Sequence, residues 1–158
     1  MTPEILFSKE RIAQRIDELA NIISADYKGK EVVVVATLRG SFVFFADLIR
    51  KLDLTVTCEF LALSHYGKAS PSSGEVKMNL DYSETMEGKH VLIIEDLVDT
   101  GFTTNFINKF TKARNPASLK TCCLILKEGT LEQPVDLDYV GFKIDEEFIV
   151  GYGIDRCV

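Results

Sequence analysis

The fold is decided by one stretch, Val91-Leu-Ile-Ile-Glu95-Asp96-Leu-Val-Asp99-Thr100-Gly101-Phe102-Thr103-Thr104. Its first four residues are apolar and partly β-branched, which predicts a buried parallel strand. An acidic pair, Glu95 and Asp96, closes the strand, and a loop of small hydroxylated residues then opens a helix. A helix N-terminus presents unpaired N–H groups, and Gly101 allows close approach, so this loop suits a phosphate dianion. The two carboxylates suit ribose hydroxyls or a hydrated Mg²⁺, so the stretch predicts a site for a sugar phosphate.

Length and charge narrow the class of protein. The 158 residues suit one domain, which we place at residues 1–158. Lys and Arg number 18 against 24 Asp and Glu, giving a net charge of −6, which disfavours nucleic acid and anionic membrane as partners. The longest apolar runs have only five residues, and the N-terminus lacks a basic region leading into an apolar one. We therefore expect a cytoplasmic protein.

The four cysteines are Cys58, Cys122, Cys123 and Cys157. They show no Cys-x-x-Cys spacing, and the neighbours Cys122 and Cys123 would face opposite ways on a strand. The pattern favours free thiols in a reducing compartment over a zinc or disulfide site.

Hydrophobic periodicity divides the rest of the chain into short elements. We predict helices after Ser8, over 42–52 and over 102–112, strands over 32–36, 54–63, 76–82, 91–94 and 119–126, and a lid-like loop over 64–75. This alternation predicts an α/β fold with a mainly parallel central sheet and helices on both faces. A small lid or hood is expected from the middle loop and the C-terminal strands.

The central stretch closely resembles the phosphoribosyl-pyrophosphate (PRPP) motif of type I phosphoribosyltransferases. The form Glu-Asp, followed three residues after the aspartate by Asp-Thr-Gly, points to the hypoxanthine-guanine branch. The resemblance implies a Mg²⁺-dependent purine-salvage enzyme that moves the phosphoribosyl group of PRPP to N9 of a 6-oxopurine. It also implies that Glu95 and Asp96 bind ribose and metal. The 5′-phosphate is expected on Thr100, Gly101, Phe102, Thr103 and Thr104.

Flanking segments extend the resemblance. Leu38-Arg39-Gly40-Ser41 is similar to the family's pyrophosphate loop, where the peptide before the glycine is typically cis, so Arg39 and Gly40 are expected to bind pyrophosphate. By the same resemblance Lys127 contacts the purine 6-oxo group, Phe148 stacks on the base, and Ile149 reads its edge through the main chain. Asp155 is expected to bind Mg²⁺.

Two positions depart from the family pattern. The lid has His65 where the family has serine before Tyr66, which leaves Tyr66 as the expected lid contact. The family also continues past Asp155 to a pyrophosphate-binding arginine, whereas this sequence ends at Val158 and Arg156 is out of register. Pyrophosphate binding is expected to rest on Arg39, the lid and metal, or PRPP affinity to be weaker.

Asp99 is the candidate general base, because it directly precedes the phosphate loop and its neighbours Glu95 and Asp96 are assigned to ribose and metal. The choice among hypoxanthine, guanine and xanthine stays open, and the alternatives are a xanthine- or pyrimidine-specific enzyme and an RNA-binding, PRPP-sensing regulator. The acidic balance counts against the regulator. Relatives generally form homodimers or homotetramers, so we expect a homo-oligomer.

Overall fold

The computed structural model describes residues 2–65 and 76–154. Within these ranges the helices are α1 (Lys9–Asp26), α2 (Phe42–Ile49) and α3 (Phe102–Lys112). The strands are β1 (Glu31–Leu38), β2 (Thr55–His65), β3 (Val76–Leu80), β4 (His90–Val98), β5 (Ser118–Lys127) and β6 (Tyr139–Ile144).

The described strands form one six-stranded sheet in the order β3-β2-β1-β4-β5-β6. The pairs β1–β2, β1–β4, β4–β5 and β5–β6 are parallel, and β3 pairs with β2 antiparallel. The predicted mainly parallel α/β sheet is confirmed.

Helices cover both faces of this sheet. On one face α1 and α2 pack over β1, β4 and β5 through residues such as Ile16, Ile23 and Phe44, which are at most 2% exposed. On the other face Ile107 of α3 packs with Val35 and Ile93, all fully buried. Inward-facing residues of β1 and β4 thus alternate between two cores, as strands covered on both sides must.

The local predictions hold with shifted ends. Ser8 caps α1 by accepting a hydrogen bond from the Arg11 N–H at 3.1 Å, and α3 spans the predicted residues. α2 ends at Ile49 instead of residue 52, because the N–H groups of Lys51 and Leu52 bond three residues back, which closes the last turn early.

The start of the predicted lid differs from the expectation. Ser64 and His65 belong to β2, where they pair with Lys77 and Val76 of β3. Backbone groups of β3 form the hydrogen bonds that extend the strand here. Because this pairing does not depend on the side chains, the polar, aperiodic sequence at these two positions does not indicate it. The remainder of the predicted lid, 66–75 with Tyr66, lies outside the described residues.

The C-terminal part also differs in detail. β6 joins the main sheet beside β5, and residues 145–154 contain only an isolated bridge between Gly151 and Ile154. Cys58, Cys122 and Cys123 are free, and the last two pack into different clusters, as their alternation on β5 requires. Asp155 and Cys157 lie outside the described residues. None of the helices in the described part of the chain is long and apolar enough to cross a membrane.

Candidate active site

The candidate residues lie at or after the carboxyl ends of four strands of the sheet. β1, β4, β5 and β6 are mutually parallel neighbours, so their carboxyl ends lie together. From β1 the chain passes to β2 on one side, whereas β4 lies on the other side. The crevice between β1 and β4 is therefore a topological switch point, where open α/β sheets bind ligands.

The loops after β1 and β4 touch at this switch point. A Cβ built on Gly40 would lie 2.2 Å from Asp96 Oδ2, so only glycine leaves room for that carboxylate. The peptide between Leu38 and Arg39 is cis, one bond earlier than the bond directly before Gly40. Arg39 is exposed. The structure thus brings the candidate pyrophosphate loop against the acidic pair.

Glu95 is a buried acidic side chain at the carboxyl end of β4. It is 5% exposed, and Thr37 Oγ1 lies 2.9 Å from its Oε2. Burial, followed by the charge of Asp96, raises the pKa of Glu95 to about 8, although the hydroxyls of Thr37 and Thr104 oppose the shift. Thr104 lies near the carboxylate, yet no described atom bonds Oε1 with regular geometry. A buried oxygen without a partner is costly to keep unless a ligand pairs with it.

Asp96 and the neighbouring strand complete this electrostatic environment. Burial raises the pKa of Asp96, and the backbone N–H groups of Asp96 and Leu97 partly offset the effect. Cys123, the partner of Glu95 in β5, has its pKa raised to about 12 by burial and then by the two carboxylates. Cys123 is therefore a neutral packing residue, and the acidic pair is the reactive feature here.

The amino end of α3 has no side-chain cap. Its N-cap is Gly101, which has a φ of 95° and no side chain that could bond the first helical N–H groups. A Cβ at Gly101 would lie 2.7 Å from Val135 Cγ2 and 2.8 Å from the Gln133 carbonyl oxygen, so the backbone at Gly101 packs directly against the loop after β5. The first helical N–H groups, with the hydroxyls of Thr100 and Thr103 beside them, suit phosphate oxygens.

Asp99 lies at the exit of β4 and is exposed. Thr130, from the loop after β5, donates its hydroxyl to Asp99 Oδ1. The other carboxylate oxygen, Oδ2, makes no hydrogen bond among the described residues. The position is accessible, and one oxygen can accept a proton from a ligand.

The candidate base-binding residues end β5 or follow β6, the two strands beyond β4. Lys127 ends β5, is 8% exposed and pairs with Ile144. Within the described ranges no hydrogen bond or ion pair involves its amine, which sets it apart from an ordinary solvated lysine. Phe148 is 67% exposed, so its ring is available for stacking, and Ile149 packs against the core.

Two candidate residues are not among those that the structure describes. Tyr66 and Asp155 lie outside the described residues. Within the described ranges no three His, Cys, Asp or Glu side chains are grouped as metal ligands.

Two residues that contact the candidate carboxylates, Thr37 and Thr130, were not predicted from the sequence. Thr37 is a hydroxyl at the carboxyl end of an otherwise apolar strand, which is a usable signal. Thr130 contacts Asp99, which lies 31 residues earlier in the chain, so no local sequence signal indicates this contact.

Comparisons with known proteins agree with this geometry. A family model, the phosphoribosyl transferase domain, matches residues 4–156. The chain is 42% identical over 159 residues to a hypoxanthine-guanine phosphoribosyltransferase of Dictyostelium discoideum, covering 98% of this chain and 88% of that protein.

Two solved structures are also similar. A Bacillus anthracis hypoxanthine-guanine phosphoribosyltransferase, with a HEPES molecule in its active site, has a TM-score of 0.93 at 40% identity, covering 99% of this chain and 92% of that one. A Trypanosoma cruzi hypoxanthine phosphoribosyltransferase, from work on its C-terminal region, oligomeric state and activity, has a TM-score of 0.91 at 43% identity, covering 97% and 84%.

Proposed function

Because the chain belongs to the phosphoribosyl transferase family, we propose that it transfers the 5-phosphoribosyl group of PRPP to N9 of hypoxanthine or guanine. The products are IMP or GMP and pyrophosphate, so the reaction is purine salvage. The observation that carries the proposal is the contact between Gly40 and the Asp96 carboxylate. It joins the loop suited to pyrophosphate to the residues suited to ribose, so one crevice can hold both ends of the bond that breaks.

The 5′-phosphate binds at the amino end of α3 in this proposal. The uncapped N–H groups and the Thr100, Thr103 and Thr104 hydroxyls would hold the phosphate. The carbonyl of Thr100 accepts hydrogen bonds from the Glu132 and Gln133 N–H groups at 2.9 and 3.1 Å, which fixes the loop before a ligand arrives. A rigid phosphate anchor lets distant binding energy orient C1′.

Glu95 and Asp96 would bind the ribose hydroxyls and Mg²⁺, and the bound cation would favour the ionised form of Glu95, whose pKa is raised by burial in the free protein. The residues present fit the ion, because Glu95 Oε1 has no hydrogen-bond partner among the described residues and Asp96 lies at the same strand end. Two protein carboxylates suffice when substrate phosphates and water supply the other oxygen ligands, and Asp155 is a further candidate ligand. When bound, Mg²⁺ neutralises negative charge on the departing pyrophosphate.

The purine binds beside the carboxyl ends of β5 and β6. Lys127 would donate to the 6-oxo oxygen, and Phe148 would stack on the ring. The burial of Lys127 and the exposure of Phe148 support these roles, since a donor needs a partner and a stacking ring needs an open face.

Asp99 acts as the general base. As purine N9 forms its bond to C1′, the bond from C1′ to pyrophosphate breaks and the leaving group takes that electron pair. The proton on N7 passes to Asp99, and the electrons of the N–H bond stay in the imidazole ring. A positioned base contributes a factor of about 10²–10⁴ in rate. Asp99→Asn should therefore lower kcat by that order with little change in the KM for PRPP.

The experiment that tests the function is a turnover assay with purified protein, PRPP and Mg²⁺. Each of hypoxanthine, guanine, xanthine and adenine is supplied separately, and base absorbance and pyrophosphate release are followed. Turnover of hypoxanthine or guanine supports the proposal. Turnover of xanthine alone would identify a xanthine-specific enzyme instead, and PRPP left intact with every base would overturn the proposal.

We also propose a cytoplasmic homo-oligomer, a dimer or tetramer. Phe42 of α2 and Phe60 of β2 are 54% and 38% exposed, and Phe60 packs against Phe45 of α2, so they share one face. Burying this apolar face against a second copy would remove it from water. Sedimentation velocity should give two or four times the 17.7 kDa chain mass, and a single monomeric species would contradict the proposal.

A further inference from the structure

The loop after β5 contacts the candidate general base, Asp99. The Thr130 hydroxyl donates to Asp99 Oδ1 and also lies 3.4 Å from the Asp99 carbonyl oxygen. Thr130 is only three residues beyond Lys127. One short loop therefore connects the candidate purine-reading lysine to the candidate base.

This loop is held from two sides. The N–H groups of Glu128 and Gly129 donate to the carbonyls of Ile144 and Asp145, both at 2.9 Å. A few residues later, the Glu132 and Gln133 N–H groups bond the Thr100 carbonyl. A Cβ on Gly129 would lie 2.2 Å from Asp145 Oδ1, so the loop is also tightly packed where it bonds Ile144 and Asp145. Thr130 thus presents its hydroxyl from a segment fixed before and after it.

We infer that Thr130 is the positioning residue for Asp99, an inference that rests on the proposed function. Asp99 is exposed, and an exposed carboxylate rotates among rotamers unless a partner holds it. The Thr130 hydrogen bond holds Oδ1 and leaves Oδ2 to accept the N7 proton of the purine. Threonine suits this task, because its branched Cβ restricts the rotation that would swing the hydroxyl away.

Thr130→Val tests the inference, because valine keeps the shape and removes only the hydroxyl. A base that is wrongly oriented loses much of its effect, so kcat should fall about tenfold while the KM for PRPP stays near the parent value. Thr130→Ser restores the donor and should keep kcat within about twofold of the parent. The matched control is Thr57→Val, which removes a hydroxyl from an exposed position in β2 and should leave kcat unchanged.

The second arm repeats Thr130→Val in the Asp99→Asn background. A residue that acts through Asp99 should cause no further loss of kcat there, whereas a loss of about tenfold in both backgrounds would show a general structural effect and overturn the inference. If Asp99→Asn lowers kcat and Thr130→Val leaves kcat unchanged, the Thr130 inference fails while the proposed function stands. If Asp99→Asn itself retains the parent kcat, the base assignment fails and the inference fails with it.

Discussion

Gly40→Ala should weaken PRPP binding by displacing a carboxylate. The added Cβ would lie 2.2 Å from Asp96 Oδ2 and 2.9 Å from its Cγ, where ordinary contacts begin at 3.4 Å. The Asp96 carboxylate must therefore move by about 1 Å, the scale of misplacement that disables a site. Gly40 does not have a positive φ, so the effect is one of space and not of backbone conformation.

The size of the effect follows from the cost of overpacking. Forcing an extra methyl group into a packed position costs about 1–3 kcal/mol. If that cost falls on the ribose and metal contacts of Asp96, PRPP binding weakens by about fivefold to a hundredfold, since each 1.4 kcal/mol is tenfold. The unfolding midpoint should change little, because the carboxylate can turn toward the open crevice in the free protein.

Steady-state kinetics with varied PRPP measures this change. The matched control is Gly29→Ala, where no atom lies within 4 Å of the new Cβ but φ is +79°. That variant should lose about 1 kcal/mol of stability through backbone strain and keep the parent KM for PRPP. A Gly40→Ala enzyme with the parent KM, or an equal rise in KM for Gly29→Ala, would refute the reasoning.

Two further predictions concern Glu95 and Lys127. Burial raises the pKa of Glu95 from 4.5 to about 8, so the folded form holds a proton that the unfolded form has lost, and stability must fall as pH rises between these values. Glu95→Gln should therefore raise the free energy of unfolding at neutral pH by about 3 kcal/mol, because glutamine cannot ionise. Urea unfolding without metal or PRPP measures this change. If the free energy of unfolding of the variant depends on pH as steeply as that of the parent, the assignment is contradicted. Lys127→Met removes the donor at similar length, so it should cut kcat/KM for hypoxanthine and shrink the preference over adenine, which we expect to be about 10⁴ or more in the parent. Comparable turnover of both bases by the parent would refute the role of Lys127.

Much of this architecture could be predicted from sequence because its signals are local. The strand from Val91, the acidic pair and the helix at 102–112 are consecutive, and apolar period and loop chemistry identify each of them. β6 was missed, because its six residues contain a glycine and a lysine and give only a weak period. Its place in the sheet comes from pairing with β5.

The finer geometry of the site could not be read in the same way. The contacts of Gly40 with Asp96 and of Thr130 with Asp99 join separate loops that only the sheet brings together. Sequence indicates which residue types lie at each strand end. It does not show that a methyl group at Gly40 would displace Asp96, or which oxygen of Asp99 is already bonded.

The most direct test of the central claim is a crystal structure of this protein with PRPP and Mg²⁺ bound. The 5′-phosphate should lie at the amino end of α3, the ribose hydroxyls and the metal at Glu95 and Asp96, and the pyrophosphate against Arg39 and Gly40. PRPP bound away from the crevice between β1 and β4, or with its pyrophosphate at the amino end of α3, would contradict the account.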